Sequence, residues 1–363
     1  MRLGVAGAIA GGTIVPGDVE VADGRIERLG LESANGRGIA APGFVDLQVN
    51  GFGGVDFLEA DADGYRRAGD ALLETGVTAY LPTFITAPEE QLRDALESIP
   101  RHGAGPRILG AHVEGPFLSP KRLGTHRASA RRDPDPALLE RLLDYGPVRV
   151  MTLAPELAGA GELIDLLQER GITISCGHSD ATADQANEAF DRGVRTVTHL
   201  FNAMRPFGHR DPGIAGAALA RDDVVVQVIL DGIHLADATM RLVWRAAAGR
   251  VALVTDAIAG AGGSDGSYSL GGLEIEMRDG IVRGPDGVLA GSALTMLDAV
   301  RNLHALGVPL AHAVEAATAV PAQVVGAQDV GRLEPGAAAD VVVLDDNLQI
   351  DRVLVGGEAL VVC

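Results

Sequence analysis

The chain has 363 residues, 47% of them hydrophobic, and a formal net charge of −19. A chain of this length and composition can bury a large core, which excludes intrinsic disorder and suits one large domain with a small accessory domain. The acidic charge argues against nucleic acid or an anionic membrane surface as a partner, because both attract clustered Lys and Arg. An anionic substrate would need a local cationic pocket in this acidic background.

The apolar runs and the cysteines indicate a cytoplasmic protein. The longest apolar stretches, such as VVVQVIL at residues 224–230, have the length of a strand, whereas a membrane helix requires ~20 residues. The N-terminal sequence passes directly into a strand-like pattern without a convincing signal-peptide cleavage site. Cys176 and Cys363 are the only cysteines, so a disulfide framework has no support.

Both ends of the chain are predicted to contain short strands separated by turns. Residues 1–41 alternate apolar and polar positions around turns such as Pro16-Gly17, and residues 336–363 give two or three further strands. We expect these two segments to combine into one small β-sandwich domain.

Runs with β character recur through the middle of the chain, with helical sequence between them. This pattern predicts an α/β protein whose central part, residues 42–335, is a (β/α)₈ TIM-type barrel. A Gly-rich β insertion follows the last run, at about residues 262–290. The eight runs are VDLQVNG (45–51), AYLPTF (79–84), RILGAHVEG (107–115), VRVMTLAPE (148–156), TISCGHS (173–179), TVTHLFNA (196–203), VVVQVILDGIH (224–234) and VALVTDAI (251–258).

Side chains that can bind metals close several of these runs. The C-terminal strand ends of such a barrel meet at one mouth, and there the sequence places Gln48, Asn50, Glu114, His178, His199, His234 and Asp256. Each alone has a structural explanation, such as a backbone-bonded histidine or a helix cap. Together, a Glu, two His and an Asp from four strands indicate a metal site with a base beside it. Glu114, His178 and His199 would hold a divalent ion, and Asp256 would be the general base.

Seven motifs carry a resemblance to a known family. The chain resembles the N-acetylglucosamine-6-phosphate deacetylases of the amidohydrolase superfamily, and the motifs lie within residues 42–297 in the family's order. The histidine-containing combinations HVEGPF with GTH, and THLFNAM, are the most specific. The motifs are PGFVDLQVNGFGGVDF, GAHVEGPFLSPKRLGTH, CGHSDA, THLFNAM, DGIH, LVTDA and LAGSALTM.

The resemblance implies further site residues. His126, twelve residues after Glu114, matches a histidine that contacts the substrate carbonyl and stabilises the oxyanion; without the resemblance it reads as a surface-loop histidine. Family members commonly form homodimers in which the arginine matching Arg210 reaches into the neighbouring subunit's site. The implied substrate-binding residues are His126, Asn202, Ala203, Arg210, His234, Leu289 and Ala290.

The end of the first barrel run predicts how many metal ions bind. Many amidohydrolases have an HxH pair there that binds a second metal, whereas this chain has Gln48 and Asn50. Amides are poor substitutes for imidazoles, and the one-metal form of the family shows this pattern. We expect one divalent ion per subunit, Zn²⁺ first, with Fe²⁺ and Co²⁺ also suited to such ligands.

The implied activity is hydrolysis of the N-acetyl group of N-acetylglucosamine 6-phosphate to glucosamine 6-phosphate and acetate, in amino-sugar catabolism and cell-wall sugar recycling. N-acetylgalactosamine 6-phosphate stays an alternative substrate, because one or two loop residues can read one inverted hydroxyl. Other N-acyl compounds and a catalytically inactive barrel are further alternatives.

Some conspicuous residues receive no chemical role. His102, His304 and His312 lie away from the strand ends, and Lys121 is the only lysine among 30 basic residues. Cys176, two residues before His178, leaves a thiol ligand open, but a buried apolar cysteine is the better interpretation.

Overall fold

The computed structural model describes residues 1–33, 35–101 and 105–362. His102 and Cys363 therefore lie outside the described residues. The N-terminal segment forms the strands β1 (Gly7–Ala10), β2 (Thr13–Pro16), β3 (Asp18–Ala22), β4 (Arg25–Leu31) and β5 (Ile39–Pro42).

Strands and helices then alternate through the middle of the chain. All eight predicted runs form strands, the third of them in two pieces. The elements are β6 (Phe44–Val49), the hairpin β7 (Gly51–Phe52) and β8 (Val55–Asp56), α1 (Ala62–Glu74), β9 (Val77–Ile85), α2 (Glu89–Glu97), β10 (Arg107–Ile108), β11 (Ala111–Glu114), α3 (Pro136–Tyr145), β12 (Val148–Leu153), α4 (Ala160–Glu169), β13 (Thr173–Cys176), α5 (Ala183–Asp191), β14 (Thr196–Val197), α6 (Gly213–Leu219), β15 (Val225–Val228), α7 (Asp237–Ala247) and β16 (Val251–Leu253).

The remaining elements are the insertion and the C-terminal segment. They are β17 (Gly266–Leu270), β18 (Leu273–Arg278), β19 (Ile281–Arg283), α8 (Met296–Ala305), α9 (Leu310–Glu315), α10 (Ala319–Val324), β20 (Val341–Leu344), β21 (Ile350–Val355) and β22 (Glu358–Val362). Within the described parts of the chain, no helix is both long and apolar enough to cross a bilayer.

The central strands form a nearly closed parallel barrel. The order of pairing runs β6, β9, β10 with β11, β12, β13, β14, β15, β16, and every pair is parallel. The segment after β16 returns to β6, since the N–H of Asp256 donates to the Gln48 carbonyl at 2.9 Å and the N–H of Asn50 donates to the Ala257 carbonyl at 2.8 Å. The predicted (β/α)₈ barrel is confirmed.

Strands from the two chain ends form a separate small domain. Its larger sheet has the order β2-β1-β5-β20-β21-β22, and β3 pairs with β4 in a second sheet. A separate apolar core holds the two together, with Val19 and Ile26 from the small sheet packed among Val341 and Leu354 from the large one. This arrangement is the predicted β-sandwich built from both termini.

The insertion after β16 covers part of the barrel mouth. Strands β17, β18 and β19 form an antiparallel sheet, and its buried Leu270 and Met277 share a small core with Ile85, at the end of β9, and with Ile258. The insertion is therefore fixed to the strand ends that carry the candidate site.

A buried carboxylate ties the first barrel strand to the segment after the eighth. Asp46 accepts hydrogen bonds from the Thr255 hydroxyl at 2.6 Å and from the backbone N–H groups of Thr255 and Gln48, both at 3.2 Å. Burial raises the pKa of Asp46 to about 7, although the hydrogen bonds from Thr255 and Gln48 oppose that rise. The closure of the barrel thus contains a carboxyl group that retains its proton unusually well.

We expect Asp46→Asn to flatten the dependence of stability on pH. The folded protein holds the Asp46 proton more tightly than the unfolded chain does. The contribution of this group to stability is therefore fully present below the unfolded pKa of 3.8 and is lost as the pH rises toward about 7. Within that window the loss approaches about 1.4 kcal/mol per pH unit. Asparagine carries no charge, so the variant lacks this titration. Its Thr255 hydroxyl can still donate a hydrogen bond, because the Gln48 carbonyl is 3.3 Å away.

The measurement is the melting temperature of metal-free wild-type and D46N protein between about pH 4 and about pH 8. Relative to the variant, the wild type should lose stability as the pH rises. Parallel curves would contradict a proton-retaining Asp46.

Candidate active site

Three buried side chains from three barrel strands meet at the mouth. Glu114 ends β11, while His178 and His199 each lie two residues beyond the end of their strand. Oε1 of Glu114 is 3.1 Å from Nε2 of His178 and 3.0 Å from Nε2 of His199, and the two Nε2 atoms are 3.1 Å apart. The group thus presents one oxygen and two nitrogens to a single point.

The hydrogen bonding of His178 fixes which of its nitrogens is free. Its Nδ1 lies 2.9 Å from the backbone carbonyl of Arg122. A carbonyl only accepts, so Nδ1 carries a proton, and Nε2 is the ring nitrogen that faces Glu114 and His199.

This group of side chains fits a divalent metal ion. Atoms ~2.0–2.1 Å from a tetrahedral ion lie about 3.3 Å from one another, and the three donor atoms here are 3.0–3.1 Å apart. Two imidazole nitrogens and a carboxylate oxygen are ligands typical of Zn²⁺, Fe²⁺ or Co²⁺.

The backbone at the site adopts a conformation that non-glycine residues rarely take. The φ angles of His178, His199, Ala203 and Asp256 are 47°, 31°, 48° and 51°. This left-handed region costs of order 1–3 kcal/mol for each non-glycine residue and often marks functional sites. The turns that follow the strands therefore aim these residues at the mouth.

Two amides bridge the carboxylates beside the metal-binding group. The Gln48 amide donates to Oε1 of Glu114 at 3.3 Å and to Oδ1 of Asp256 at 3.0 Å, and the Asn50 amide donates to the same Asp256 oxygen at 2.7 Å. Burial, followed by the charge of Glu114, raises the pKa of Asp256 to about 6. Asp256 therefore binds a proton more tightly than an ordinary aspartate, and two neutral amide donors fix its position.

His126 is buried beside the second carboxylate oxygen of Glu114. Its Nδ1 lies 2.8 Å from the Thr86 hydroxyl and 3.2 Å from the Thr86 backbone N–H. The backbone N–H can only donate, so Nδ1 accepts and the proton of the neutral ring is on Nε2. Burial, followed by the neighbouring His178, lowers the pKa of His126 to about 4. Its Nε2–H lies 3.6 Å from Oε2 of Glu114, so a neutral donor faces the site.

One cavity joins most of the predicted residues. Its walls include Glu114, His126, His178, His199 and Asp256 together with Asn202, Ala203, His234 and Leu289. The Nδ1 of His234 is held 2.7 Å from the carboxylate of Asp231. Two predicted substrate contacts do not line this cavity: Arg210 is exposed at a shallow neighbouring pocket, and Ala290 is buried in the core of the insertion.

The sequence analysis missed two cations that line the same cavity. Lys121 and Arg122 precede His126 in the loop after β11. Both contact the carboxylate of Asp180, Lys121 at 3.2 Å and Arg122 at 2.7 Å, and Arg205 approaches the same group at 3.5 Å. Arg205 pairs more closely with Asp211, at 2.7 Å, so Lys121 and Arg122 are the two cations that this arrangement brings to the cavity. Their proximity to the GTH motif was the only available signal.

Cys176 is a buried core residue. It ends β13, and the left-handed turn at His178 breaks the alternation of side chains beyond it, so a spacing of two residues does not put both side chains on one face. The thiol is in the apolar core and is not part of the Glu114, His178 and His199 group.

A parallel α/β barrel with a buried Glu/His/His group at its C-terminal mouth is the architecture of a metal-dependent hydrolase. Residues 39–360 match the amidohydrolase family, and the chain belongs to that family. The chain is 40% identical to the human N-acetylglucosamine-6-phosphate deacetylase, over 96% of this chain and 93% of the human one. It is 37% identical to the N-acetylgalactosamine-6-phosphate deacetylase of Escherichia coli O157:H7, over 88% and 87% of the two chains.

A solved structure narrows the assignment. A mutant of N-acetyl-D-glucosamine-6-phosphate deacetylase from Mycobacterium smegmatis, in complex with N-acetyl-D-glucosamine-6-phosphate, superimposes with a TM-score of 0.94 at 37% identity, over 98% of each chain. Within the amidohydrolases, the chain belongs with the N-acetylglucosamine-6-phosphate deacetylases. This confirms the family predicted from the motifs.

Proposed function

We propose that the protein hydrolyses the amide bond of N-acetylglucosamine 6-phosphate. Water adds to the acetyl carbon, the C–N bond breaks, and the products are acetate and glucosamine 6-phosphate. The observation that carries this proposal is the buried Glu114, His178 and His199 group, flanked by a carboxylate base and a neutral imidazole donor. The human and mycobacterial relatives support the choice of substrate.

Glu114, His178 and His199 hold one divalent ion per subunit in this proposal, with Zn²⁺ preferred and Fe²⁺ or Co²⁺ as alternatives. Such an ion supplies Lewis-acid activation of the acetyl carbonyl and of a water molecule. Gln48 and Asn50 use their amides as donors to Asp256 and Glu114, which supports a single ion rather than a pair.

Asp256 moves the proton. It takes a proton from the attacking water and gives it to the leaving nitrogen, so the amine departs neutral as the C–N bond breaks. A raised proton affinity suits both halves of this transfer. The Gln48 and Asn50 amides both bind Oδ1, which leaves Oδ2 for the proton.

His126 stabilises the oxyanion that forms when water adds to the carbonyl. A neutral imidazole whose Nε2–H faces the site can donate to that oxygen, and the Thr86 N–H holds the ring in this tautomer. In a buried site such a donor is already oriented before the reaction begins.

The sugar phosphate binds between Asn202, the Ala203 backbone and His234 on one side and Lys121 and Arg122 on the other. This assignment gives the acidic chain the local cationic pocket that an anionic substrate requires. Arg210 joins from a second copy in a homodimer, which accounts for its exposure outside the central cavity of its own chain. Ala290 supports the adjacent Leu289 from within the insertion.

The cell compartment is the cytoplasm, and the pathway is amino-sugar catabolism and cell-wall sugar recycling.

N-acetylgalactosamine 6-phosphate is the second candidate substrate. The relative from E. coli O157:H7 carries that name and is 37% identical over most of both chains. The two sugars differ in one hydroxyl, so a shared mechanism with different loop contacts is sufficient to separate them.

Asp256→Asn is expected to lower acetate release by about 10²–10⁴-fold, because asparagine cannot accept the proton. The assay compares N-acetylglucosamine 6-phosphate, its galacto epimer, unphosphorylated N-acetylglucosamine and an N-acetyl amino acid. Metal content is measured on the same samples, so that loss of the base is separated from loss of the ion.

The wild type should release acetate fastest from the gluco phosphate. Faster turnover of the galacto phosphate would favour the second candidate. Comparable rates for wild type and D256N would remove Asp256 from the proposed chemistry.

Metal binding is expected at about one ion per chain, since three protein ligands and open positions suit one catalytic ion. The measurement is metal stoichiometry after loading with Zn²⁺ and gel filtration. Glu114→Gln and His199→Asn should lose most of the ion. His234→Asn is the matched control, because His234 lines the same cavity outside the ligand group. Retention by either ligand variant, or two ions per chain, would contradict the proposed centre.

Lys121→Met is expected to raise KM for the phosphorylated sugar by about five-fold. The change removes one solvent-exposed charge pair with the phosphate, and such a pair contributes little to binding. The unphosphorylated sugar should be unaffected. Arg66→Met is the matched control, since its side chain is 62% exposed against 73% for Lys121 and it lies on α1. Equal losses on both sugars would show that Lys121 does not bind the phosphate.

A further inference from the structure

A chain of buried hydrogen bonds crosses the barrel interior below the metal-binding group. Oγ of Ser175 lies 2.6 Å from Oγ1 of Thr198, which is 2.7 Å from Oγ1 of Thr152. Thr152 is 2.7 Å from Nε2 of His112, and Nδ1 of His112 is 3.1 Å from the backbone carbonyl of Leu47. All four side chains are fully buried.

The carbonyl at one end fixes the direction of every bond in this chain. A carbonyl cannot donate, so Nδ1 of His112 carries the proton and Nε2 of the neutral ring accepts from Thr152. Thr152 has then used its single hydrogen, so Thr198 donates to Thr152. By the same count, Ser175 donates to Thr198. All protons point from β13 toward β6.

The neutral state of His112 follows from its surroundings. Its two ring nitrogens bond a hydroxyl and a carbonyl, and a buried imidazolium without a hydrogen-bonded carboxylate is costly.

Two members of the hydrogen-bond chain are close in sequence to metal-binding side chains. His112 precedes Glu114 by two residues on β11 and so shares its face of the strand. Thr198 immediately precedes His199, whose φ of 31° needs support from the surrounding structure. Thr152, on β12, joins the two. The hydrogen-bond chain therefore links β11, which carries Glu114, to the turn that carries His199.

We propose that this one-way hydrogen-bond chain is a positioning device that holds Glu114 and His199 at ligand distance. This inference rests on the metal centre of the proposed function. Hydrogen bonds polarise one another along a chain with a single direction, and each donor or acceptor left unpaired in a dry interior costs ~1–3 kcal/mol. A break at Thr152 leaves the His112 acceptor and the Thr198 donor unpaired at once.

The test uses substitutions of nearly equal shape in the metal-loaded enzyme. Thr152→Val breaks the chain, and Thr152→Ser keeps the hydroxyl. Thr196→Val is the matched control, because Thr196 is also a fully buried threonine, begins β14 and accepts a hydrogen bond from the Gln227 amide at 3.1 Å outside the chain. Metal affinity is measured by chelator competition, and thermal stability is measured on the metal-free proteins.

We expect T152V to weaken metal binding by about ten-fold relative to T196V, by analogy with groups that orient ligands. T152V should also lose more thermal stability than T196V, because it leaves two buried groups unpaired rather than one, and T152S should restore the affinity. Equal metal affinity of T152V and T196V would overturn the proposal while leaving the metal centre intact. A wild-type protein that binds no metal would overturn the proposed function and this inference together.

The direction of the chain has its own readout. Nitrogen-15 NMR of histidine-labelled protein distinguishes a ring protonated at Nδ1 from one protonated at Nε2. His112 should be neutral and protonated at Nδ1 at neutral pH. Protonation at Nε2 would mean that the bonds do not run from Ser175 to Leu47, and the proposal would fail whatever the metal affinity.

Discussion

The site depends on keeping two buried carboxylates, Glu114 and Asp256, in the same small space. Burial raises the pKa of Asp256, whereas for Glu114 burial is outweighed by His178, His126 and His199, which hold its pKa well below the usual range. Two neighbouring acids thus differ in proton affinity, as a separate ligand and base require. The Gln48 amide contacts both carboxylates and is uncharged, so it does not reduce the difference between their pKa values.

The sequence predicted those features that depend on one residue type at one position along a strand. The eight runs were recognisable because parallel barrel strands are apolar throughout, and Glu114, His178, His199 and Asp256 because strand ends converge in this fold. Motif resemblance extended the prediction to His126, Asn202 and His234, which line the same cavity. Their chemical roles remain predictions.

Other features depend on geometry that no local pattern encodes. The left-handed turns at His178 and His199 are formed by histidines, so no glycine at these positions predicts them. The tautomers of His126 and His112 are set by a backbone N–H and a backbone carbonyl from distant parts of the chain. In the sequence, Lys121 and Arg122 are ordinary loop charges. Their place at the cavity is seen only in the structure, where both contact Asp180.

The loop after β11 combines several tasks in a few residues. Its Arg122 carbonyl orients His178, Lys121 faces the cavity, and His126 supplies a donor. Gly124 has a φ of 58°, a left-handed conformation that favours glycine, at the point where the loop passes His178. Under the proposed function, laboratory evolution of substrate choice through this loop should be constrained, since a length change there would alter metal retention together with selectivity. Variation confined to the β17–β19 insertion leaves those ligands untouched and is the freer route to a new sugar.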